Sequence, residues 1–382
     1  MQRSLGRSLI KKIENKRESK VIAYYTGDRH PFGARIAEDA VRPLYEHLMN
    51  LDFATKTKRI DLILYSRGGD VSVPWRITNM IREFCDEFCV LVPYKAQSAA
   101  TLISLGADGI VMGRKAELGP IDPTLVKTTV GEAFFPQEIS VEDVNSYLSF
   151  VRERAGITDQ SSLGPLVRSL VDQITPLTVG AVNRQNSHIR LVARKLLTSR
   201  REKMDEERIN AIIETLTEKV YSHGHAISRR EAADMGLPVH FPDEELEDLL
   251  WQLHLRYERF LKLDQPLHPE LELGAEEERI LDSVSLALIE SYMKLHVFEA
   301  SIALRKNRKI PTSPQLNLSF NLQLPAGIRP EEIPREAQQI LQQLISQLTR
   351  LLPRLIQQEI VRQSPIVGFG GRVFGGMWNE KR

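Results

Sequence analysis

IDLILYSRGGD, residues 60–70, is the stretch whose reading decides the fold. IDLILYS is an apolar run of strand length, and such runs suit a strand buried on both faces of a parallel sheet. RGGD then turns the chain, and paired glycines let a backbone approach a ligand closely. A strand that ends in a glycine turn and feeds a helix is the repeating unit of an α/β sheet.

The same unit recurs on either side. Residues 4–17 place Leu5, Leu9, Ile10 and Ile13 on one helical face, and VIAYYTG (21–27) reads as a strand ending at a glycine. Residues 34–50 carry Ile36, Ala40, Val41, Leu44 and Leu48 at helical spacing. After the glycine turn, 72–84 reads as a helix, FCVLVPY (88–94) as a buried strand, SAATLISLGA (98–107) as a tightly packed helix and GIVMG (109–113) as a further strand. Short loops between alternating strands and helices predict an α/β fold with a mostly parallel sheet and right-handed crossovers.

Beyond residue 140 the pattern changes. Residues 143–154, 163–171, 178–197 and 205–220 have helical spacing and predict a helical arm. Residues 243–306 are expected to continue as helices, with Leu246, Leu249, Leu250 and Leu253 on one stripe. SPQLNLSFNLQLP (313–325) alternates with period two, as one or two half-exposed strands would. Residues 335–362 form an amphipathic helix whose stripe runs from Leu341 to Ile356, with a kink at Pro353. The glycine-rich end is expected to be mobile. The domain reading is therefore a core with its helical arm over 1–240, a mainly helical extension over 241–310, and a strand–helix–tail segment over 311–382.

Composition narrows the function. Lys and Arg number 51 against 50 Asp and Glu, a formal net charge of +1, so no broad field draws in nucleic acid or an anionic membrane. The two cysteines, Cys85 and Cys89, make neither a disulfide framework nor a zinc site and read as buried apolar residues. The first twenty residues lack the apolar stretch of a secretory signal, and no segment reaches the ~20 apolar residues of a membrane span. The expectation is a cytoplasmic, soluble protein that needs no cofactor and no metal.

Two loops about 30 residues apart carry the chemistry. Ser66-Arg67-Gly68-Gly69-Asp70 lies at the carboxyl end of a strand, where open α/β sheets bind ligands. Lys95-Ala96-Gln97-Ser98-Ala99-Ala100-Thr101 follows the next strand. A serine that opens a helix sits among free N–H groups at the positive end of the dipole, which suits an oxyanion. Each signal alone has a structural explanation, as a turn or as an N-cap. A third loop, Leu118-Gly119-Pro120-Ile121-Asp122-Pro123, follows the fourth strand of the core.

The ordered series LILYSRGGD, AQSAATLISLGADGIVM and LGPIDP resembles the ClpP/crotonase superfamily, and most closely the branch of signal peptide peptidases and serine dehydrogenase proteinases. The resemblance is strong over 59–125, fair over 1–240 and absent over 241–382. It implies Ser98 as nucleophile and the Gly69 and Ala99 amides as oxyanion hole, with Gly68 beside them. It also implies a peptide or protein substrate and a homo-oligomer.

The general base departs from the family. The ClpP histidine position holds Ile121, and the signal-peptidase lysine position falls in SVEDVNSYL, at Asp143. A serine hydroxyl needs some base at neutral pH. The serine dehydrogenase proteinase pattern maps a histidine into YSHGHAI, giving His223 first and His225 second, just before REAADMGL, which resembles the last helix-to-strand element of the core. Asp143 and Asp122 compete as the orienting acid, and Lys95 is an outside base. The main reading is a serine peptidase with Ser98, His223 and Asp143. The alternatives are a non-catalytic scaffold or sensor that binds a partner protein through 241–382, and a crotonase-type acyl-CoA enzyme. Asp70 as a turn carboxylate, Trp75 and Trp251 as packing residues, and Lys195 as surface are the plainer readings of features that invite a functional one.

Overall fold

The computed structural model describes residues 5–52, 58–121, 124–127, 137–140, 147, 149–173, 176–219, 225–310, 342–343, 346, 352–353, 356, 359–361 and 363–381. In chain order the helices are α1 (Arg7–Arg17), α2 (Val41–Leu48), α3 (Val73–Arg82), α4 (Ala99–Leu105), α5 (Gln160–Gln173), α6 (Pro176–Thr198), α7 (Glu206–Glu214), α8 (Arg229–Asp234), α9 (Glu244–Leu261) and α10 (Pro269–Leu273). The strands are β1 (Lys20–Thr26), β2 (Arg59–Tyr65), β3 (Glu87–Val92), β4 (Lys95–Ala96), β5 (Gly109–Met112), β6 (Glu117–Leu118), β7 (Thr124–Lys127), β8 (Gln137–Ser140), β9 (Ile227–Ser228), β10 (Val239–His240), β11 (Glu278–Ser291), β12 (Leu295–Arg308) and β13 (Ile366–Glu380).

The main sheet has the order β10-β5-β3-β2-β1-β11-β12-β13. Its first five strands are mutually parallel, and β11 joins β1 antiparallel. The predicted α/β class with a mostly parallel core is what the chain adopts. A separate three-stranded sheet, β4-β6-β9, stands beside it, and β7 pairs with β8.

The apolar run at 60–65 is continuous because both faces of β2 are covered. Ile60, Leu62 and Leu64 join one buried cluster with Ile22, Tyr24, Phe88 and Val90, packed under α3, α4, α6 and α7. Ile63 and Tyr65 join the opposite cluster with Val21, Tyr25 and Leu91, under α1 and α9. Asp61 is fully buried within this run. Arg17 reaches it through Nε (2.9 Å) and an Nη (3.1 Å), and Ser19 Oγ donates at 2.7 Å. A carboxylate is tolerated in the core when it is paired and hydrogen-bonded in this way. The cysteines are free, and burial pushes both thiols up to about 12, so they act as apolar filler.

The chain divides into two compact units. One comprises Met1–Leu267, Asp282–Ser301 and Val373–Arg382, and the other His268–Leu281 and Ile302–Arg372. The expected helix over 243–306 holds only in its first part. Asp243 caps α9 by accepting from Leu246 N–H at 2.8 Å, three glutamates occupy the first turn, and Lys262 ends it in a left-handed conformation. The rest corrects the expectation, because 278–291 and 295–308 are strands. SVSLALIES is a strand-length run buried at its inner end. The terminal segment is likewise strand β13 rather than a mobile tail. The strands read at 313–325 lie outside the described residues, as does most of the Leu341–Ile356 stripe.

Candidate active site

The glycine loop and the serine loop are hydrogen-bonded to each other. Ser66 N–H donates to Lys95 O and Gln97 N–H donates to Ser66 O, each at 3.0 Å. These bonds continue the parallel pairing of β2 past its end and set Gly68–Gly69 beside Ser98. The third loop closes the arrangement. β6 pairs with β4, and Thr101 Oγ lies 2.8 Å from Ala96 O and 2.7 Å from Gly119 O, donating to one at a time, while accepting from Gly119 N–H at 3.2 Å.

Ser98 stands immediately before α4 with φ 53° and ψ −116°, a conformation a non-glycine residue adopts only where its surroundings impose it. Its hydroxyl makes no capping bond to α4. The plain N-cap reading therefore fails, and Ser98 Oγ has no hydrogen-bond partner among the described residues. Gly68, at φ +119°, packs directly on it: a Cβ at Gly68 would lie 2.6 Å from Ser98 Cβ and 3.0 Å from Oγ. Only glycine fits there.

Two backbone donors in these loops, at Gly69 and Ala99, have no hydrogen-bond partner among the described residues. Gly68 O accepts from Ile36 N–H and Ile36 O accepts from Asp70 N–H, each at 2.8 Å, which leaves the intervening Gly69 N–H unused. A Cβ on Gly69 would come within 2.0 Å of Ile36 O, so this residue too is restricted to glycine. Ala99 is the first residue of α4, where an N–H has no intrahelical acceptor.

Sequence reasoning assigned Ser66 no role, yet it braces this loop. It is fully buried. Its Oγ accepts from Thr26 Oγ at 2.6 Å and from Gly68 N–H at 2.9 Å. The available signal was a pair of hydroxyl residues ending two adjacent apolar strands, each at the carboxyl end.

The remaining named residues fall as follows. Lys95 is engaged elsewhere: its Nζ lies 3.5 Å from Asp28 and 4.6 Å from the Tyr94 ring centre. Asp28 also pairs with Arg67 at 3.1 Å and accepts from Tyr65 OH at 2.7 Å. His225 is exposed, with Nε2 3.1 Å from Glu231. Ile121, at the ClpP histidine position, is buried, and its N–H donates to Leu216 O at 3.0 Å. Asp70 accepts from Ser72 N–H and Oγ, and these bonds hold its carboxyl below the usual range, as a turn carboxylate. Trp75 and Trp251 pack on the core and on His254. His223, Asp143 and Asp122 lie outside the described residues. A cavity of about 440 Å³ adjoins the glycine loop, bordered by Arg35, Arg67, Phe298 and Trp378.

The ClpP-like SDH-type serine proteinase family model matches residues 1–134. The uncharacterized protein MJ0137 of Methanocaldococcus jannaschii is 28% identical over 236 residues, covering 60% of this chain and 72% of that protein. A second protein of that organism, uncharacterized protein MJ1495, is 30% identical over 99 residues, 25% of this chain and 34% of that protein. Among solved structures, the 1510-N membrane-bound stomatin-specific protease, in a mutant form, gives a TM-score of 0.32 at 16% identity, covering 60% of this chain and 85% of that one. ClpP1 from Listeria monocytogenes gives 0.32 at 14% identity, covering 62% and 99%. Among the described residues no helix is long and apolar enough to cross a membrane. Over residues 1–134 the chain therefore carries the pattern of the ClpP-like SDH-type serine proteinases, the family its three motifs resemble.

Proposed function

We propose that this chain is a serine peptidase in which Ser98 Oγ attacks a peptide carbonyl and the Gly69 and Ala99 amides receive the oxyanion. The observation that carries the reading is the strained, uncapped Ser98 with its free hydroxyl, packed on Gly68 next to two unused N–H donors. Preorganised backbone donors aimed at a developing oxyanion are commonly the largest electrostatic contribution to acyl transfer. Ser98 forms the acyl–oxygen bond as its proton passes to the base, the base returns that proton to the leaving amine, and water then releases the acid.

His223 is the preferred base and Asp143 its orienting acid. The strand register is what makes a histidine at 223 attractive as the base. β9 pairs with β6 and β6 with β4, so Ile227 aligns through Leu118 with Ala96. Two strand spacings amount to about 10 Å. His223 precedes Ile227 by four residues, a tether of at most about 14 Å. Lys95 and His225, the other bases considered, are held by Asp28 and Glu231.

The test is active-site labelling with a fluorophosphonate. Wild type reacts at one serine, Ser98→Ala does not, and His223→Ala reacts far more slowly. Labelling that survives Ser98→Ala refutes the assignment. A folded wild type that stays unlabelled favours a scaffold, and acyl-CoA binding unaffected by Ser98→Ala favours a crotonase-type enzyme.

A further inference from the structure

The geometry points to a divalent transition-metal site of the Zn²⁺ class, built by Glu46, His296 and Glu380 and separate from the serine site. The three residues come from α2, the start of β12 and the end of β13, all within the first compact unit. One ligand atom from each, a ring nitrogen of His296 and a carboxylate oxygen of either glutamate, lies within 4.8 Å of the other two. His296 Nε2 and Glu46 Oε2 are 3.2 Å apart. Two ligands of a tetrahedral ion with bonds of about 2.0–2.1 Å sit about 3.3 Å apart, so this pair is already at coordination spacing. Glu380 is exposed and has the side-chain freedom to close the remaining distance.

The imidazole is set up as a ligand and not as a surface histidine. His296 is 4% exposed. Its Nδ1 lies 3.0 Å from His47 Nε2, and His47 Nδ1 lies 2.7 Å from Ser291 Oγ. His47 is fully buried, so the chain of rings fixes the orientation of His296 and turns its Nε2 toward the carboxylates. A ligating histidine whose other nitrogen is held by a buried partner is the usual outer-shell arrangement of a metal site.

Two cations face the cluster and set its limits. Lys294 Nζ is 3.5 Å from Glu380 Oε2, and Arg42 Nε is 3.1 Å from Glu46 Oε1. Arg42 is largely exposed and acts on the oxygen that Glu46 turns away from His296, whereas Lys294 competes with a metal for the Glu380 carboxylate. One imidazole and two carboxylates select a borderline first-row ion, with water completing the shell, over Mg²⁺. The bound ion ties β13 to α2 and β12.

The experiment uses full-length protein freed of metal with a chelator and titrated with Zn²⁺, and with Co²⁺ for its visible spectrum. The expected result is one equivalent bound, a four-coordinate Co²⁺ spectrum and a raised unfolding temperature. Glu46→Gln and Glu380→Gln each weaken binding at least tenfold, His47→Gln weakens it about 10–100-fold, and Lys294→Met tightens it. Circular dichroism of each variant reports its folding. Wild type that binds no stoichiometric ion, or a folded Glu46→Gln/Glu380→Gln variant that binds as wild type does, overturns the assignment. A wild type that gives no four-coordinate Co²⁺ spectrum overturns the assignment even where a variant misfolds.

Discussion

Ser66→Ala separates a bracing role from a passive one. The substitution removes one hydroxyl at a fully buried position and leaves two groups without their partner, Thr26 Oγ and Gly68 N–H. An orphaned buried donor costs about 1–3 kcal/mol, and at about 1–2 kcal/mol for each of these two the variant should lose about 2–4 kcal/mol in a urea titration. That corresponds to a fall of roughly 5–10 °C in melting temperature for a domain of this size. Adding Thr26→Val removes one of the two orphans and should recover about 1 kcal/mol, so the double variant is less damaged than the sum of the singles. The same loss frees Gly68, and with it the direction of the Gly69 N–H. Fluorophosphonate labelling of Ser98 should therefore slow at least tenfold under conditions where the variant remains folded. A stability loss below ~0.5 kcal/mol would show that Ser66 does not hold the loop. A full stability loss with unchanged labelling would show that the loop does not set the donor.

Further expectations can be measured on the same material. Gly69→Ala places a Cβ 2.0 Å from Ile36 O, a contact that must displace the loop, so labelling should fall by about 10²–10³, the loss typical of one missing oxyanion donor. His254 is fully buried among Tyr25, Tyr65, Tyr94 and Trp251, with no hydrogen bond to either ring nitrogen. Burial, then Lys115, lowers its pKa to about 4 against an opposing Asp28, and burial, then His296, lowers that of His47 to about 3. Between those values and about 6.5 the unfolded chain binds protons that the folded chain does not, so stability is full above about pH 6.5 and is lost as pH falls. From pH 7 to 5 each ring accounts for about 2 kcal/mol. His254→Phe should flatten that slope in pH-dependent urea titrations and stabilise the protein at pH 7. A slope equal to that of wild type would contradict the burial argument.

The parallel core was legible because its strands are covered on both faces, which writes long apolar runs into the sequence at 60–65 and 88–92. The serine and its glycine loop were legible for a related reason: strand ends that must bind something carry glycines and a helix start. β11 to β13 were not legible as strands. Their outer positions are exposed and their apolar residues mixed, so neither period dominates, and the glycines of FGGRVFGG point to a mobile end. Ser66 was hidden because its meaning lies in a partner, Thr26, forty residues away, which becomes adjacent only when β1 and β2 pair in register.

The general base shows where motif reading ends. A nucleophile and its oxyanion donors are local objects: two short loops supply them, and each loop announces itself by a strand before it and a helix after it. A base has to arrive from elsewhere in the chain. At the position where ClpP carries histidine, the chain places Ile121 in the core, bonded through its backbone to Leu216. The same β6 that follows Ser98 also pairs with β9, which returns the chain from 225 onward to the edge of the site. A base delivered by that return would be tethered to the serine by strand pairing and not by sequence proximity. This is why His223→Ala, read beside His225→Ala as its control, is the substitution that discriminates most sharply: slowed labelling in the first and unchanged labelling in the second would fix the proton's destination.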